Sequence, residues 1–305
     1  MDALRHILLV AGPTAVGKTD AAIEAARIVD GEIVSADSRQ VCRGMDIGTA
    51  KPSRIQKASV RHHLIDCVDP GEPFSAGAYR DIAERHISEI RERGREPIVV
   101  GGSTLYIESL VRGLSEVPDI RPEVRALVRE RMQREGPESL YRDLQRVDPA
   151  AGASMDVTKT HRVLRALEVF YSTGKPISSY HETIRPPLHS YRMVVLTMDR
   201  EQLDQRILTR TRSMLDAGLI EEVRGLVEQG VSVRANVLRT IGYREVLDML
   251  EGRLDHSRLI ETIAANTRRY ARRQLTWFRR YVDATWLDAA AGPKAIANML
   301  TGTVD

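Results

Sequence analysis

The chain has 305 residues, of which 42% are hydrophobic and 29% are charged. This composition is typical of a soluble globular protein, and the length suits one large domain with an insertion or two modest domains. The formal net charge of +3 excludes a strongly basic surface overall, so any nucleic-acid site must come from locally clustered charge.

The cysteines and the apolar runs indicate the cellular compartment of the protein. Cys42 and Cys67 form neither a CxxC pair nor a metal-ligand spacing, which indicates free thiols in a reducing compartment. The apolar run 7–11 is too short for a signal peptide, and no run approaches the ~20 residues that span a bilayer. We therefore expect a cytoplasmic protein that does not contact the membrane.

Short apolar runs alternate with helical stretches in the first third of the chain. The pattern predicts strands at 6–11, 32–36, 63–68 and 97–100, with helices over 19–29 and 76–93. Helices between strands imply right-handed crossovers and a parallel sheet. Between 117 and 187 the strand-like runs vanish, and charged helical segments cover 121–135 and 161–173.

A core strand is again predicted at 192–198, and the chain after Asp199 is mostly helical, with an apolar stripe that begins at Leu203 and Ile207. The fold class we predict is therefore α/β. Residues 1–116 and 188–305 would form a core domain, a parallel sheet flanked by helices. Residues 117–187 would form a small all-helical inserted domain.

The most specific local motif is a phosphate loop. Residues 12–19, GPTAVGKT, match GxxxxGK[ST] and follow a predicted strand at the start of a helix. Backbone N–H groups and the helix N-terminus bind phosphate oxygens, Lys18 adds a charge, and the Thr19 hydroxyl can bind Mg²⁺. A strand–helix turn without a ligand is disfavoured, because motif and context agree. The predicted phosphate-binding residues are Gly12, Pro13, Thr14, Ala15, Val16, Gly17, Lys18 and Thr19. With this loop, the predicted core of residues 1–116 and 188–305 is P-loop NTPase-like.

The loop does not identify the phosphate compound, because a nucleoside triphosphate and a prenyl diphosphate present the same bridged phosphates. Asp37 directly follows the predicted strand 32–36, and the carboxyl ends of parallel strands face the ligand crevice. Its carboxylate has three interpretations: a group that binds a water ligand of magnesium, a general base, or the N-cap of a following helix.

Arginines are concentrated near the C-terminus. Arg269, Arg272 and Arg273 share one helical face, which Thr276 and Arg280 continue, and Tyr270, Trp277 and Phe278 lie among them. Arginine contacts phosphates bidentately and stacks on bases. We interpret the arginines as an RNA-binding face rather than a solvated one, and the aromatic residues Trp277 and Phe278 as core.

Several further blocks occur in a defined order. They are DSRQVCRGMDIGTAKP at 37–52, VGGSTLY at 100–106, HRVLRALEV at 161–169, TIGYR at 240–244 and RRQLTWFR at 272–279. Together with the phosphate loop they resemble the tRNA dimethylallyltransferase family over nearly the whole chain. Three positions depart from the family pattern: Cys42 stands where Tyr is usual, Ser103 where Thr is expected, and His161 where Gln is usual.

The resemblance implies dimethylallyl diphosphate as donor and, as acceptor, N6 of the adenosine 3′ of the anticodon in the tRNA anticodon stem-loop. It implies a monomer with Mg²⁺, catalytic roles for Asp37 as base, Ser103 and Lys18, and a diphosphate clamp by Arg206 and Arg210. Alone, the last pair could equally form ion pairs. The residues expected to contact tRNA are Asp37, Ser38, Arg39, Gln40, Ser103, Arg125, His161, Arg162, Val163, Leu164, Arg165, Arg239, Thr240, Ile241, Gly242, Tyr243, Arg244, Arg272, Arg273, Gln274, Trp277 and Arg279.

Three other functions remain as alternatives. A P-loop kinase for a small metabolite needs neither the clustered arginines nor the insertion. An RNA-binding nucleotide switch binds tRNA without forming a product. A prenyltransferase for free adenine nucleotides shares the diphosphate chemistry but needs no tRNA-binding arginines.

Overall fold

The computed structural model describes residues 6–181, 183–233 and 235–302. The strands in these residues are β1 (Ile7–Ala11), β2 (Gly31–Ala36), β3 (His62–His63), β4 (Glu96–Gly101), β5 (Leu114–Ser115), β6 (Ile184–Arg185), β7 (Tyr191–Thr197) and β8 (Thr285–Asp288). Six of them form one sheet in the order β3-β2-β4-β1-β7-β8, and every pairing in it is parallel. The predicted parallel sheet is confirmed.

Helices connect and cover these strands. They are α1 (Lys18–Ile28), α2 (Arg54–Ser59), α3 (Ala76–Glu92), α4 (Thr104–Val111), α5 (Pro122–Val147), α6 (Pro149–Ser154), α7 (Thr160–Thr173), α8 (Ile177–Tyr180), α9 (Arg200–Asp216), α10 (Leu219–Glu228), α11 (Tyr243–Leu250), α12 (Leu259–Phe278) and α13 (Pro293–Thr301). Side chains cap several of their N-termini; Asp199, for example, accepts from the backbone N–H groups of Glu201 and Gln202 at the start of α9. None of the described helices is long and apolar enough to cross a bilayer.

The chain divides into two compact units, one formed by residues 1–111 and 188–305 and the other by 112–187. In the first unit, both faces of the sheet are buried. Leu9 and Ala11 of β1 lie in the apolar core on one face, and Val10 lies in the core on the other. This alternation is expected when helices cover both faces of a parallel sheet.

The second unit is built mainly from α5 and α7, whose buried side chains include Val128, Leu144 and Leu167. α5 bends at Gly136, which has φ 79°, and Pro137 begins its second segment. A two-residue antiparallel ladder, β5 with β6, pairs Leu114 with Arg185. The structure places the first boundary of this unit at 112, whereas the sequence pattern had suggested 117.

Two strand predictions need correction. The predicted strand 63–68 is wrong beyond His63, because Leu64 and Asp66 have φ values of 61° and 58°, which no strand accommodates. The second correction is β8, which the sequence pattern does not predict. This edge strand has exposed residues at three of its four positions, so it lacks the apolar run that marks the buried strands.

Candidate active site

Three loops meet at one edge of the sheet. The phosphate loop follows β1, Asp37 follows β2, and the glycine pair Gly101–Gly102 ends β4. β4 lies between β1 and β2 in the sheet, and Gly101 is in register with Ala36. A cavity of about 1010 Å³ opens there, and all three loops line it. This is where an open parallel sheet binds its ligands.

The phosphate loop has the backbone that its motif predicts. Gly12, Ala15 and Gly17 have φ values of 143°, 66° and 102°, and a Cβ on Gly12 would lie 2.6 Å from the carbonyl oxygen of Leu196. Lys18 Nζ donates to the carbonyl oxygens of Gly12 and Pro13 at 3.0 and 2.7 Å. Of the predicted phosphate-binding residues, those that line the cavity are Thr14, Ala15, Gly17, Lys18 and Thr19; those buried beneath it are Gly12, Pro13 and Val16.

Two arginines of α9 stand over this loop. Arg206 Nη1 donates to the carbonyl oxygen of Val16 at 3.3 Å, and its guanidinium lies 3.6 Å from where a Cβ of Gly17 would be. Arg210 follows one turn later and lines the same cavity. Neither arginine has a carboxylate within ion-pair distance in the described part of the chain. With Lys18, three cations face one cavity, an arrangement that suits a polyanion.

The pKa of Lys18 is lowered to about 8, because burial outweighs the opposing charge of Asp37 and the charge of Arg210 acts in the same direction as burial. Without an anion, the ammonium is therefore partly desolvated and poorly compensated. A bound diphosphate supplies the missing negative charge, so ligand binding and protonation of Lys18 favour one another.

This coupling gives an expected pH dependence. Because the charged ammonium binds the anion, the Kd of inorganic pyrophosphate should rise once the pH exceeds about 8, approaching roughly tenfold per pH unit. Isothermal titration calorimetry over a pH series measures it. Lys18→Arg serves as the control, because its guanidinium stays charged and the ionisation of pyrophosphate affects both proteins equally. Parallel pH profiles for the two proteins would contradict the assignment to Lys18.

Asp37 closes the turn that follows β2. Its Oδ1 accepts from the backbone N–H groups of Arg39 at 2.9 Å and Gln40 at 3.3 Å. Residues 38–44 form turns, not a helix, so the helix N-cap interpretation of Asp37 is wrong. In the described residues no hydrogen bond to Oδ2 is found. One oxygen therefore fixes the carboxylate while the other remains available in the cavity.

Ser103 and Gln40 hold neighbouring loops together. Ser103 Oγ accepts from the backbone N–H of Ser38 at 2.8 Å and donates to Ser38 Oγ at 3.2 Å. Gln40 Nε2 donates to the carbonyl oxygens of Thr49 and Ala50, both at 3.2 Å. The four predicted residues Ser38, Arg39, Gln40 and Ser103 all line the cavity. The hydroxyl of Ser103 and the amide of Gln40 thus already have protein partners.

Gln274 of α12 has a different position from the one predicted. Its side chain is 2% exposed, and its Oε1 accepts from the backbone N–H of Thr14 at 2.9 Å while Nε2 donates to the carbonyl oxygen of Gly102 at 2.8 Å. The prediction of a tRNA contact by this side chain needs correction, because both ends of its amide bind backbone. Gln274 instead joins α12 to the phosphate loop and to the end of β4.

Replacing Gln274 by Leu should lower the free energy of unfolding by about 1–3 kcal/mol for each buried backbone group left without a partner. It should also weaken pyrophosphate binding, since Thr14 is released, and leave the Kd of tRNA unchanged. Thermal unfolding and titrations with the two ligands measure these effects. Arg272→Ala is the comparison, since this exposed arginine lies two residues away and should alter tRNA binding alone. A selective loss of tRNA affinity in Gln274→Leu would restore the original prediction.

The segment 239–244 also borders the cavity, and two acids, the buried Glu245 and the half-buried Glu222, position it. Glu245 accepts from the backbone N–H of Gly242 at 2.7 Å and from Asn266 Nδ2 at 2.7 Å. The predicted tRNA-contacting residues of this segment that line the cavity are Arg239, Thr240, Ile241, Gly242 and Arg244. Tyr243 is fully buried instead and donates to Glu222 Oε1 at 2.6 Å, so its side chain is structural.

Glu222 of α10 does more than hold Tyr243. Its carboxylate accepts from the backbone N–H groups of Asp46, Ile47 and Gly48 at 2.9, 2.7 and 3.1 Å. It thereby fixes the loop 46–50, which runs into the cavity wall. No local pattern pointed to Glu222, because its partners lie far away in the chain. Glu245 does have a local signal, because it occupies the N3 position of a capping box at the start of α11.

The basic face of α12 forms a shallow groove of about 500 Å³. Its lining residues are Arg269, Arg272, Arg273, Thr276, Trp277 and Arg280. Arg273 also lines the large cavity, so the groove is continuous with it. Phe278 is fully buried as predicted, and Trp277 is half-buried against the core. Arg279 lies apart, in a separate cavity that Trp286 also lines.

Comparison with known proteins shows the family to which the chain belongs. Residues 40–281 match the family model of IPP transferases. The chain belongs to the IPP transferase family. It is 49% identical over 286 residues to the tRNA dimethylallyltransferase of Salinibacter ruber. The aligned residues make up 93% of this chain and 88% of the relative. The family predicted from the sequence motifs is therefore confirmed.

Two solved structures support the same family assignment. The tRNA isopentenylpyrophosphate transferase of Bacillus halodurans superposes with a TM-score of 0.71 at 37% identity, covering 98% of this chain and 96% of that chain. A eukaryotic dimethylallyltransferase acting on tRNA superposes with a TM-score of 0.78 at 27% identity. The superposition covers 93% of this chain and 74% of that chain. The large cavity is thus the candidate active site of an IPP transferase.

In the second unit, Arg125 of α5 and Arg165 of α7 are half-buried neighbours. Burial lowers the pKa of Arg165, Glu168 opposes this, and Arg125 lowers the pKa further. Two adjacent guanidinium groups favour an anionic ligand.

His161 and Arg162 are exposed on the first turn of α7, whereas Val163 is buried in the core of the unit and Leu164 is half-buried. The Val163 side chain therefore cannot reach RNA, and the other contacts stay predictions.

The residues at the phosphate loop fit a magnesium ion that a diphosphate brings with it. Mg²⁺ takes one or two protein oxygens, several waters and substrate phosphate oxygens. Thr19 at the start of α1 and the carboxylate of Asp37 line the same cavity and are donors of this kind. Over the residues described, no cluster of three or more His, Cys, Asp or Glu side chains would hold a metal without the substrate.

Proposed function

We propose that the chain transfers the dimethylallyl group of dimethylallyl diphosphate to N6 of the adenosine on the 3′ side of a tRNA anticodon, releasing diphosphate. One observation carries this proposal: three cations at the phosphate loop and the available oxygen of Asp37 face the same cavity. The chain therefore has an anion site for a leaving group beside a base for the attacking amine.

The diphosphate would bind between the phosphate loop and α9. The backbone N–H groups at the start of α1, Lys18, Arg206 and Arg210 would contact its oxygens. Negative charge grows on the diphosphate as its bond to the allylic carbon breaks, so fixed cations stabilise the transition state more than the ground state. Thr19 would hold Mg²⁺, which supplies further charge neutralisation on the leaving diphosphate.

The acceptor amine would enter from the side of Asp37. An adenine amine is a weak nucleophile, because its lone pair is delocalised into the ring. In the reaction, the bond from N6 to the allylic carbon forms, the bond from that carbon to diphosphate oxygen breaks, and the N6 proton moves to Asp37. The target adenosine must leave its stack to reach the cavity, which costs a few kcal/mol. Ser38 and Arg39 lie beside Asp37 in positions to contact the extruded base.

The groove on α12 would hold the RNA backbone. Arg272 and Arg273 lie on its surface, and Arg273 continues into the cavity. Each phosphate contact of this kind adds to affinity and to its salt dependence. Arg162 and Arg165 of the second unit, with Arg125, would bind further phosphates of the anticodon stem-loop. Since one chain supplies every group in this scheme, we propose that it acts as a monomer, in the cytoplasm.

The test combines the protein with dimethylallyl diphosphate, Mg²⁺ and an unmodified tRNA transcript, followed by mass spectrometry of the digested nucleosides. We expect one adenosine per tRNA to gain a dimethylallyl group. A parallel reaction with AMP in place of tRNA should give no product. Prenylated AMP would instead favour a nucleotide prenyltransferase, and phosphate transfer from ATP to a small acceptor without prenyl transfer would favour a kinase.

A further inference from the structure

The active-site cavity changes character along α9. Arg206 and Arg210 line it beside the phosphate loop, and Met214 lines it one turn later on the same face. At 1.5 Å per residue, Met214 lies about 6 Å further along the helix axis than Arg210. That distance is comparable with the extended length of a dimethylallyl group, whose main chain has four carbon atoms.

Met214 shares the cavity wall with other apolar side chains. Ile241 and Ile263 line it, and both belong to or pack against the same buried core as Met214. Ile263 is 2% exposed, so closely packed side chains lie behind the cavity wall at this residue. A wall backed in this way does not yield to a longer chain unless a lining residue is made smaller.

Three threonines that line the cavity have hydroxyls that already donate to backbone carbonyl oxygens. Thr211 Oγ1 donates to the carbonyl oxygen of Ile207 at 2.8 Å, and Thr267 Oγ1 donates to that of Ile263 at 2.8 Å. Thr240 Oγ1 donates to the carbonyl oxygen of Val237 at 2.5 Å. With these hydroxyl protons committed within the protein, the threonines add methyl surface to the wall and leave its apolar character intact.

The wall is also held in place. The backbone N–H of Gly242, next to Ile241, donates to the buried Glu245, which also binds Asn266 of α12. Met214 lies on α9, which packs against α12. A site between such supported elements keeps its shape and can discriminate ligands by size.

We propose that Met214, Ile241 and Ile263 form the pocket for the prenyl tail of the donor, and that Met214 limits the tail to five carbons. This inference rests on the proposed function, since it assumes that the phosphate loop binds a prenyl diphosphate. α9 then selects the donor by the length of its prenyl tail. The two arginines of α9 bind the diphosphate, and Met214, one turn further along the helix, contacts the end of the tail. The ligand class is a short, unhydroxylated allylic diphosphate.

The test compares dimethylallyl and geranyl diphosphate as donors, with tRNA as acceptor. Each methylene that a pocket fails to accommodate changes kcat/KM by about 10–200-fold. In Met214→Ala, we expect the ratio of kcat/KM for geranyl over dimethylallyl diphosphate to rise at least tenfold over the unaltered protein. In Met214→Leu, which keeps the volume, the ratio should stay within about threefold. An unchanged ratio in Met214→Ala, with dimethylallyl transfer retained, would overturn the proposal.

A second variant covers the case in which Met214→Ala does not fold. Met214→Phe should lower kcat/KM for dimethylallyl diphosphate at least tenfold while the Kd of inorganic pyrophosphate, measured by calorimetry, stays unchanged. Equal dimethylallyl transfer by Met214→Phe and the unaltered protein would also overturn the proposal. If the unaltered protein transfers no prenyl group at all, the proposed function itself fails, and this result is distinct from any change in donor preference.

Discussion

Asp37→Asn should reduce kcat for dimethylallyl transfer by about 10²–10⁴-fold, the range that a positioned general base contributes. The substitution preserves the turn, because the amide Oδ1 of Asn can still accept from the N–H groups of Arg39 and Gln40. It removes only the basic oxygen that faces the cavity. The Kd of inorganic pyrophosphate should change by less than about threefold. Single-turnover kinetics and calorimetry measure the two quantities separately.

The matched control is Asp20→Asn. Asp20 also lines the cavity and carries the same charge, but its Oδ1 accepts from Gln56 Nε2 at 2.9 Å at the exposed surface. If a general loss of negative charge caused the effect at Asp37, both variants would slow transfer to a similar extent. Near-normal kcat in Asp37→Asn would remove Asp37 from the role of base and leave it as the residue that closes the turn after β2.

The parts of the site that the sequence predicts are local in the chain. The glycines and the lysine of the phosphate loop act within eight residues, and their backbone angles follow from the motif. Asp37 was placed at the site because it ends a strand, and strand ends converge in a parallel sheet. Arg206 and Arg210 are one helical turn apart, so their common face also follows from spacing.

What the sequence did not predict depends on distant partners. Gln274 binds Thr14, 260 positions earlier in the chain, and Glu222 binds the loop at Ile47. Neither residue has a local pattern, because a buried glutamine or a half-buried glutamate looks like a surface residue until its tertiary partners are known. β8 was missed for a related physical reason: as an edge strand it has only one strand neighbour, β7, and its exposed residues remove the apolar signal.

Lys18→Met should lower kcat/KM for dimethylallyl diphosphate by about 10²–10³-fold, as expected when one charged group that stabilises the transition state is lost. The same change should leave the free protein as stable as before or more stable. Burial lowers the pKa of Lys18 from 10.5 to about 8, so the folded state disfavours the charge relative to the unfolded state. Methionine has a similar length and no charge to desolvate.

The pH dependence of the free energy of unfolding distinguishes desolvation of the Lys18 charge from a simple packing effect of the substitution. Between about pH 8 and 10.5, the unfolded chain retains the Lys18 proton while the folded protein has lost it. The unfolded state therefore binds more protons, so the contribution of Lys18 to stability rises with pH across this window. Denaturant unfolding should show that rise in the unaltered protein and a smaller one in Lys18→Met. Identical stability profiles would mean that the ammonium is not destabilised, and that the phosphate loop binds its anion without the coupling to protonation of Lys18 inferred above.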